Sequence, residues 1–209
     1  MDHPAMSLRF QAACSELIWV VRLNLIWLVF TLAGGVILGL GPATVAAYTL
    51  ARRHARNETF QAWSEFWTVY RREFVRASLL VVPAALVATV LVGNYLYFSA
   101  LGPGLGVPRI ASFVALIALA GVGAHVGPLY AHYDLPLRAY WPKAVQLALL
   151  RPASTVILLL ALTAIVFATS AMPILAPLIS FGAWIYLNTW LCQRFFQENE
   201  ARLLSKGNS

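Results

Sequence analysis

The sequence predicts an all-α polytopic membrane helical bundle, with about five transmembrane helices and a cytoplasmic amphipathic helix between the first two. Of its 209 residues, 60% are hydrophobic and 11% are charged, whereas soluble domains are about 45–50% apolar and about 25% charged. No charged residue occurs between Ser78 and Pro108 or between Pro152 and Gln193. Uninterrupted apolar stretches of this length are typical of membrane spans. A soluble globular domain is therefore strongly disfavoured.

The apolar stretches define five predicted spans in a single membrane domain, residues 1–209. They are placed at residues 17–40, 77–101, 110–130, 153–169 and 174–191. About 20 helical residues cross a hydrocarbon core of about 30 Å. The first stretch leaves an alternative open: the chain could turn at Gly34-Gly35 or at Gly41-Pro42, which would give six crossings or a re-entrant element.

Basic residues concentrate in two connections and in the tail, and the net charge is +7. Residues 51–76 carry six arginines, and residues 132–151 and the tail carry six further Arg and Lys residues. Because cytoplasmic loops collect Lys and Arg, we expect a multi-pass protein of the cell (inner or plasma) membrane with a cytoplasmic C-terminus. Five spans would then place the N-terminus outside, although Arg9 and Arg22 favour the inside. The same distribution gives no reason to expect nucleic acid as a partner.

Aromatic residues recur at steps of three and four between the first two spans. This spacing predicts a helix at about residues 57–76, N-capped by Asn57, with an aromatic stripe on one face. The residues of this predicted interface are Phe60, Trp63, Phe66, Trp67, Tyr70, Arg71, Arg72 and Phe74. A helix of this composition either lies on the lipid headgroups or docks another protein, since aromatic residues and arginine are the usual anchors of interfaces.

Three polar residues inside predicted spans are candidates for a functional site: Arg22, Asn24 and His125. Asn94 and Asn188 also lie inside predicted spans and are expected to bond between helices. Arg22 lies near a span end, where its side chain could extend to the interface; the alternative is a polar site inside the bundle. His125 is the only histidine between Ile110 and Ala131, and it is either a proton-relay or ligand residue or a group bonded to a neighbouring helix. A small transporter or channel acting as a homo-oligomer would need these residues on one polar path.

Two Gly-Pro pairs follow apolar stretches. Gly41, Pro42 and Ala43 are predicted to break the helix after the first span, and Gly127-Pro128 occupies a similar place after the third. Two interpretations are open: a weak internal repeat, as found in membrane transport folds, or two helices that simply end at Gly-Pro.

No constellation predicts catalysis, a metal site or a cofactor site. There is no phosphate-binding loop, no H-E-x-x-H and no dinucleotide fingerprint. Cys14 and Cys192 lie near opposite ends of the chain and are expected to be small apolar fillers. None of the eight carboxylates lies in the core of a predicted span, which disfavours an ion-coupled transporter. We therefore expect a protein that is not an enzyme.

Two segments carry a resemblance. The sequence from Asn24-Leu-Ile-Trp through Gly41-Pro-Ala-Thr, followed by Phe66-Trp-Thr-Val-Tyr-Arg-Arg-Glu-Phe, resembles the YesL-like family of bacterial membrane proteins, a domain of unknown function. The match covers about residues 24–80. Members tend to be encoded beside sugar transporters and glycan-degrading enzymes. The resemblance therefore implies an accessory or scaffold role in carbohydrate uptake, with membrane lipid and subunits of a sugar transporter as partners.

Overall fold

The computed structural model describes residues 3–102 and 106–192, and the regular secondary structure in those ranges is entirely helical. The helices are α1 (His3–Ala33), α2 (Ile37–Ala55), α3 (Ala62–Ala100), α4 (Gly106–His132), α5 (Leu137–Leu150), α6 (Pro152–Ala171) and α7 (residues 175–192). Helix α7 contains the π-helical turn Ala176–Ser180. The predicted all-α class is confirmed.

Among the described residues, four helices are long and apolar enough to cross a membrane. They are α1 from residue 13 onwards, α3, α4 and α6. Their outward faces are also apolar: Leu86, Leu96, Ile110 and Leu160 are all more than half exposed. Apolar surface of this extent is unfavourable in water and matches a hydrocarbon surrounding. The fold is therefore a helical bundle of the membrane type.

The C-terminal boundary of the first predicted span, residues 17–40, is wrong. Helix α1 stops at Ala33, and the chain reverses through Gly34, Gly35 and Val36 into α2. Gly35 has φ 75°, a left-handed conformation that glycine adopts without strain, and Val36 follows at φ 62°. The turn at Gly34-Gly35 was one of the two alternatives, and it makes α1 and α2 an antiparallel hairpin.

The predicted helix break at Gly41, Pro42 and Ala43 is wrong, because all three residues lie inside α2. Pro42 has no N–H to donate to the carbonyl of Leu38, four residues earlier. The Ser78 hydroxyl of α3 lies 2.9 Å from that carbonyl and shares its one proton between it and the carbonyl of Phe74, at 2.7 Å. A tertiary contact therefore satisfies the acceptor that the proline leaves free, and the helix continues.

The interfacial helix predicted at residues 57–76 and the span predicted at 77–101 form one continuous helix, α3. Residues 74–77 contain neither glycine nor proline, so nothing ends the helix between the two segments. The helix begins at Ala62, with Gln61 at the N-cap position, and Asn57 lies outside it at φ 56°. The predicted Asn57 cap is therefore wrong. At 1.5 Å per residue, α3 is about 58 Å long, nearly twice a hydrocarbon core.

The remaining helices pack around the α1–α2 hairpin and the long helix α3. Helix α2 runs antiparallel along the first half of α3, and α4 runs antiparallel along its second half. The largest core joins α1, α2, the first half of α3 and α7; two smaller cores join α3 to α4 and α5, and α4 to α6 and α7. The last predicted span, 174–191, corresponds to α7, whereas α5 lies in a segment that the sequence assigned only as a basic connection.

Candidate functional site

The predicted aromatic stripe is divided between the core and the surface. Phe66 is fully buried and Tyr70 is 5% exposed, and both pack on Phe30 of α1, at ring-centroid distances of 4.8 and 5.2 Å. Trp63 and Trp67 also contact Phe30 but remain 54% and 45% exposed. One side of the stripe therefore holds the α1–α2 hairpin on α3, and only the two tryptophans present a surface.

Trp63, Trp67 and Arg71 follow one another at four-residue steps, and we call these three residues the Trp–Arg stripe. The Arg71 guanidinium carbon lies 5.4 Å from the Trp67 ring centroid, within the range of a cation–π contact. Arg72 is also exposed and donates to Glu73 over 2.8 Å. The predicted interface thus retains a surface that combines flat aromatic rings with positive charge.

The other predicted aromatic residues lie inside the fold. Phe74 is half-buried and contacts the Tyr70 ring edge-on, and Phe60 is half-buried against Trp19 of α1. These two residues pack at the ends of the segment 60–74 and present less surface than the two tryptophans. The usable surface is therefore narrower than the sequence indicated.

Arginines of α2 and α3 hold the neighbouring loops and the end of α4 at the basic end. Arg52 donates to the carbonyl of Ala131 in α4, and Arg76 donates to Asp134 over 3.1 Å and to the carbonyl of Leu135 over 2.6 Å. Arg53 pairs with Glu58 and Glu65, and the hydrogen bond to Glu58 raises the pKa of the Arg53 guanidinium above its ordinary value. Part of the positive charge of this end is therefore neutralised inside the protein.

Asn24 joins α1 to the π turn of α7. Its side-chain nitrogen donates to the carbonyl of Pro177 over 2.6 Å, and its side-chain oxygen accepts from the N–H of Gly182 over 2.9 Å. These two backbone groups are five residues apart, the spacing that a π turn pairs directly. The carboxamide therefore satisfies both groups from a neighbouring helix, where no water is at hand to do so.

Trp27, one turn after Asn24, completes this joint. Its indole N–H donates to the Thr44 hydroxyl of α2 over 3.1 Å, and its ring stacks on Phe181 of α7 at 4.0 Å. The face of α1 that carries Asn24 and Trp27 thus binds both α2 and α7.

The second Gly-Pro pair also lies within a helix. Pro128 of α4 leaves the carbonyl of Ala124 without its helical donor, and the side chain of Asn188 in α7 donates to it over 2.8 Å. Asn188 is fully buried and donates also to the Tyr48 hydroxyl over 2.8 Å. Gly127 leaves room for the Tyr48 ring. Both Gly-Pro pairs therefore form interhelical joints, and neither ends its helix.

The three polar residues of the predicted spans do not meet. Arg22 is exposed on the outer face of α1, whereas Asn24 is buried on the opposite side. His125 is 2% exposed, and its Nε2 lies 3.1 Å from the Thr155 hydroxyl of α6. No single polar path through the described residues contains all three side chains.

Within residues 3–102 and 106–192, no group of three or more His, Cys, Asp and Glu side chains could hold a metal ion. Cys14 and Cys192 are both free thiols, and Cys192 is buried, where it donates to Asn188 over 3.2 Å. These positions give no support to a metal or disulfide centre in the described part of the chain.

Comparison with known proteins identifies the family. Residues 20–95 match the sequence model of a family described as "Protein of unknown function, DUF624". The chain is 30% identical over 197 residues to the uncharacterized protein YesV of Bacillus subtilis (strain 168), covering 91% of this chain and 93% of the relative. The chain belongs to the YesL-like DUF624 family. It is also 33% identical over 151 residues to the uncharacterized protein YesL of the same organism, covering 67% of this chain and 68% of that protein. No solved structure matches the chain.

The family match begins within α1 and covers α2 and most of α3, so Asn24 and Tyr48 of the joints described above lie inside it. Their partners Pro177, Gly182 and Asn188 lie far outside it. The polar residues Asn24 and Asn188 can be recognised in the sequence, but their partners Pro177, Gly182 and Tyr48 cannot, because a contact over more than a hundred residues leaves no local pattern. A proline inside an apolar helix is the one signal that points to such donors. It leaves the carbonyl four residues earlier without its helical N–H, and that carbonyl requires a donor from elsewhere.

Proposed function

We propose that this DUF624 protein is a non-enzymatic, multi-pass protein of the cell membrane that serves as an accessory or scaffold component of carbohydrate uptake. In this proposal the Trp–Arg stripe contacts a subunit of a sugar transporter on the cytoplasmic side. The carbohydrate assignment depends on the family resemblance alone. The docking assignment depends on the geometry of α3.

The observation that carries the proposal is the projection of α3 beyond the length that a membrane requires. Residues 77–100 alone provide about 36 Å of helix, which is enough for a hydrocarbon core. Residues 62–76 add about 22 Å beyond it, and the Trp–Arg stripe lies on this part. The α1–α2 hairpin packs along one side of this part, with its turn at Gly34-Gly35 beside Tyr70, so the exposed tryptophans are held on a rigid support. In this proposal the hairpin therefore lies at the depth of the Trp–Arg stripe and does not cross the hydrocarbon core.

Charge supports a cytoplasmic position for this projection. The segments 51–76 and 132–151 are rich in arginine, whereas residues 102–109 carry one charge and residues 170–172 carry none. The hairpin also brings Glu16 of α1 within 3.0 Å of His54 of α2, so the start of the apolar part of α1 lies level with the basic end. In the proposed topology the N-terminus is therefore cytoplasmic, which agrees with the position of Arg9.

The pairing of the ionisable groups at the basic end supports a scaffold over an enzyme. Arg53, Arg76 and Glu73 are engaged in ion pairs or hydrogen bonds that hold loops and helices together. His125 lies on a different helix and faces Thr155. Acid–base catalysis needs titratable groups converging on one reacting atom, and these groups serve separate joints.

The test is affinity purification from the native host in mild detergent, comparing the wild-type protein with the double variant Trp63→Ala/Trp67→Ala. We expect the wild type to recover permease, ATPase or sugar-binding subunits. The variant should recover at least about tenfold less, because exposed tryptophans are frequent interface anchors. The amount of tagged protein in the membrane fraction should be unchanged, since neither tryptophan is buried in the core.

The matched control is Leu96→Ala/Tyr97→Ala, which truncates two large side chains, each 61% exposed, near the other end of α3. It should leave the recovery of transporter subunits unchanged. Equal recovery from the wild type and from the Trp63/Trp67 variant would contradict the docking assignment. Recovery of the protein alone, as a defined homo-oligomer, would favour the second candidate function, a small autonomous transporter or channel.

A further inference from the structure

A cavity of about 440 Å³ opens between α4, α5, α6 and the end of α7, away from the Trp–Arg stripe. Loop residues 133–136 position α5 beside it: the Tyr140 hydroxyl donates to the carbonyl of Tyr133 over 2.8 Å and accepts from the N–H of Leu135 over 3.1 Å. The volume is in the range of small-molecule sites, which span about 300–1,000 Å³.

The lining combines cationic and polar side chains with leucines. Lys143, Gln146 and Arg151 lie on the polar part, together with His125 and Ser154. Leu129, Leu147 and Leu150 are among the apolar residues of the wall. No Asp or Glu side chain occurs among the described lining residues, so nothing there neutralises Lys143. A cavity with cationic side chains on one wall and leucines on another suits a ligand that has an anionic group and an apolar chain.

A buried histidine forms part of the cavity wall. His125 is 2% exposed and lines the cavity, and its Nδ1 has no hydrogen-bond partner among the described residues. Its other ring nitrogen, Nε2, is engaged with the Thr155 hydroxyl. This nitrogen is itself enclosed by protein atoms, so His125 contributes to the cavity wall and its Nδ1 is not a contact for a ligand.

We propose that this cavity binds the phosphate group of an anionic phospholipid, with Lys143 and Gln146 on the phosphate and the leucines along the start of an acyl chain. Basic pockets between membrane helices bind acidic headgroups by the same charge attraction. The positive-inside rule places residues 132–151 at the cytoplasmic leaflet, from which such a lipid can enter. The site is independent of the proposed docking role, because it shares no residue with the Trp–Arg stripe.

The test measures phospholipid binding to the purified full-length protein by native mass spectrometry, with phosphatidylglycerol and phosphatidylcholine as probes. Lys143→Gln is compared with Arg138→Gln, which removes one positive charge from the same helix but lies outside the cavity. We expect Lys143→Gln to weaken phosphatidylglycerol binding about fivefold, the effect of one lysine near an acidic headgroup. Arg138→Gln should change it by less than about twofold.

Adding excess inorganic phosphate shows whether the phosphate group in the cavity comes from a lipid headgroup or from a soluble phosphate. If it leaves phosphatidylglycerol bound, the lipid is the ligand; if it displaces the lipid from the wild type, the same site accepts a soluble phosphate. Equal phosphatidylglycerol binding by the wild type, Lys143→Gln and Arg138→Gln would overturn the proposal. Gln146→Leu is the second variant should Lys143→Gln not fold, and it should likewise weaken binding of phosphatidylglycerol relative to Arg138→Gln.

Discussion

Replacing Asn24 with leucine is expected to lower the free energy of unfolding in detergent by about 2–5 kcal/mol. The substitution removes both hydrogen bonds of the carboxamide and leaves the carbonyl of Pro177 and the N–H of Gly182 without partners. Each buried backbone group left unsatisfied costs about 1–3 kcal/mol. The measurement is a denaturant titration of the purified protein in mixed micelles.

Asn94→Leu is the matched control for this prediction. Asn94 is an exposed asparagine of α3, in the part assigned to the membrane. Its replacement should change the stability by less than about 0.5 kcal/mol or increase it. If both variants were equally stable, Asn24 would not be the residue that supports the π turn of α7.

Replacing Gly41 with alanine is the second substitution with a large expected effect. A Cβ at this position would lie 2.7 Å from the carbonyl oxygen and 2.9 Å from the carbonyl carbon of Ala77, and 3.0 Å from the Cα of Ser78. All three are backbone atoms of α3, so α2 must move away from its main partner. We expect a loss of about 1–3 kcal/mol, the usual range for overpacking.

Gly93→Ala is the control, and we expect it to increase the stability, whereas Gly41→Ala should lower it. Gly93 lies within α3, and a Cβ there would meet nothing within 4 Å. Alanine in a helix interior is favoured over glycine by about 0.5–1 kcal/mol. Both substitutions can be compared by thermal unfolding in the same detergent. An unchanged melting temperature for Gly41→Ala would contradict the close approach of α2 and α3.

The apolar helices could be predicted from sequence because charge-free stretches of this length rarely occur outside membrane spans. Their ends could be predicted less well. Gly41-Pro42 has the composition of a helix end, yet Ser78 supplies the hydrogen bond that lets α2 continue. The separation of residues 57–76 from the following span was inferred from a change in polarity. A backbone helix does not end where polarity changes, and α3 continues through it.

The candidate site was predictable in part. The periodicity identified the aromatic residues of α3, but it could not tell that Phe66 and Tyr70 would face Phe30 while Trp63 and Trp67 remain exposed. That division depends on the α1–α2 hairpin, and hence on the turn at Gly34-Gly35. Arg22 and Asn24 are neighbours in sequence, but a helix turns about 100° per residue, so two positions apart they face opposite sides.

The most direct test of the proposed docking role is site-specific photo-crosslinking in the native host. A photoreactive amino acid replaces Trp67 in one sample and Tyr97, at the opposite end of α3, in the other. We predict a defined adduct between position 67 and a subunit of a carbohydrate transporter, and none at position 97. A result with no protein adduct at position 67, or with the same adducts at both positions, would contradict the docking role.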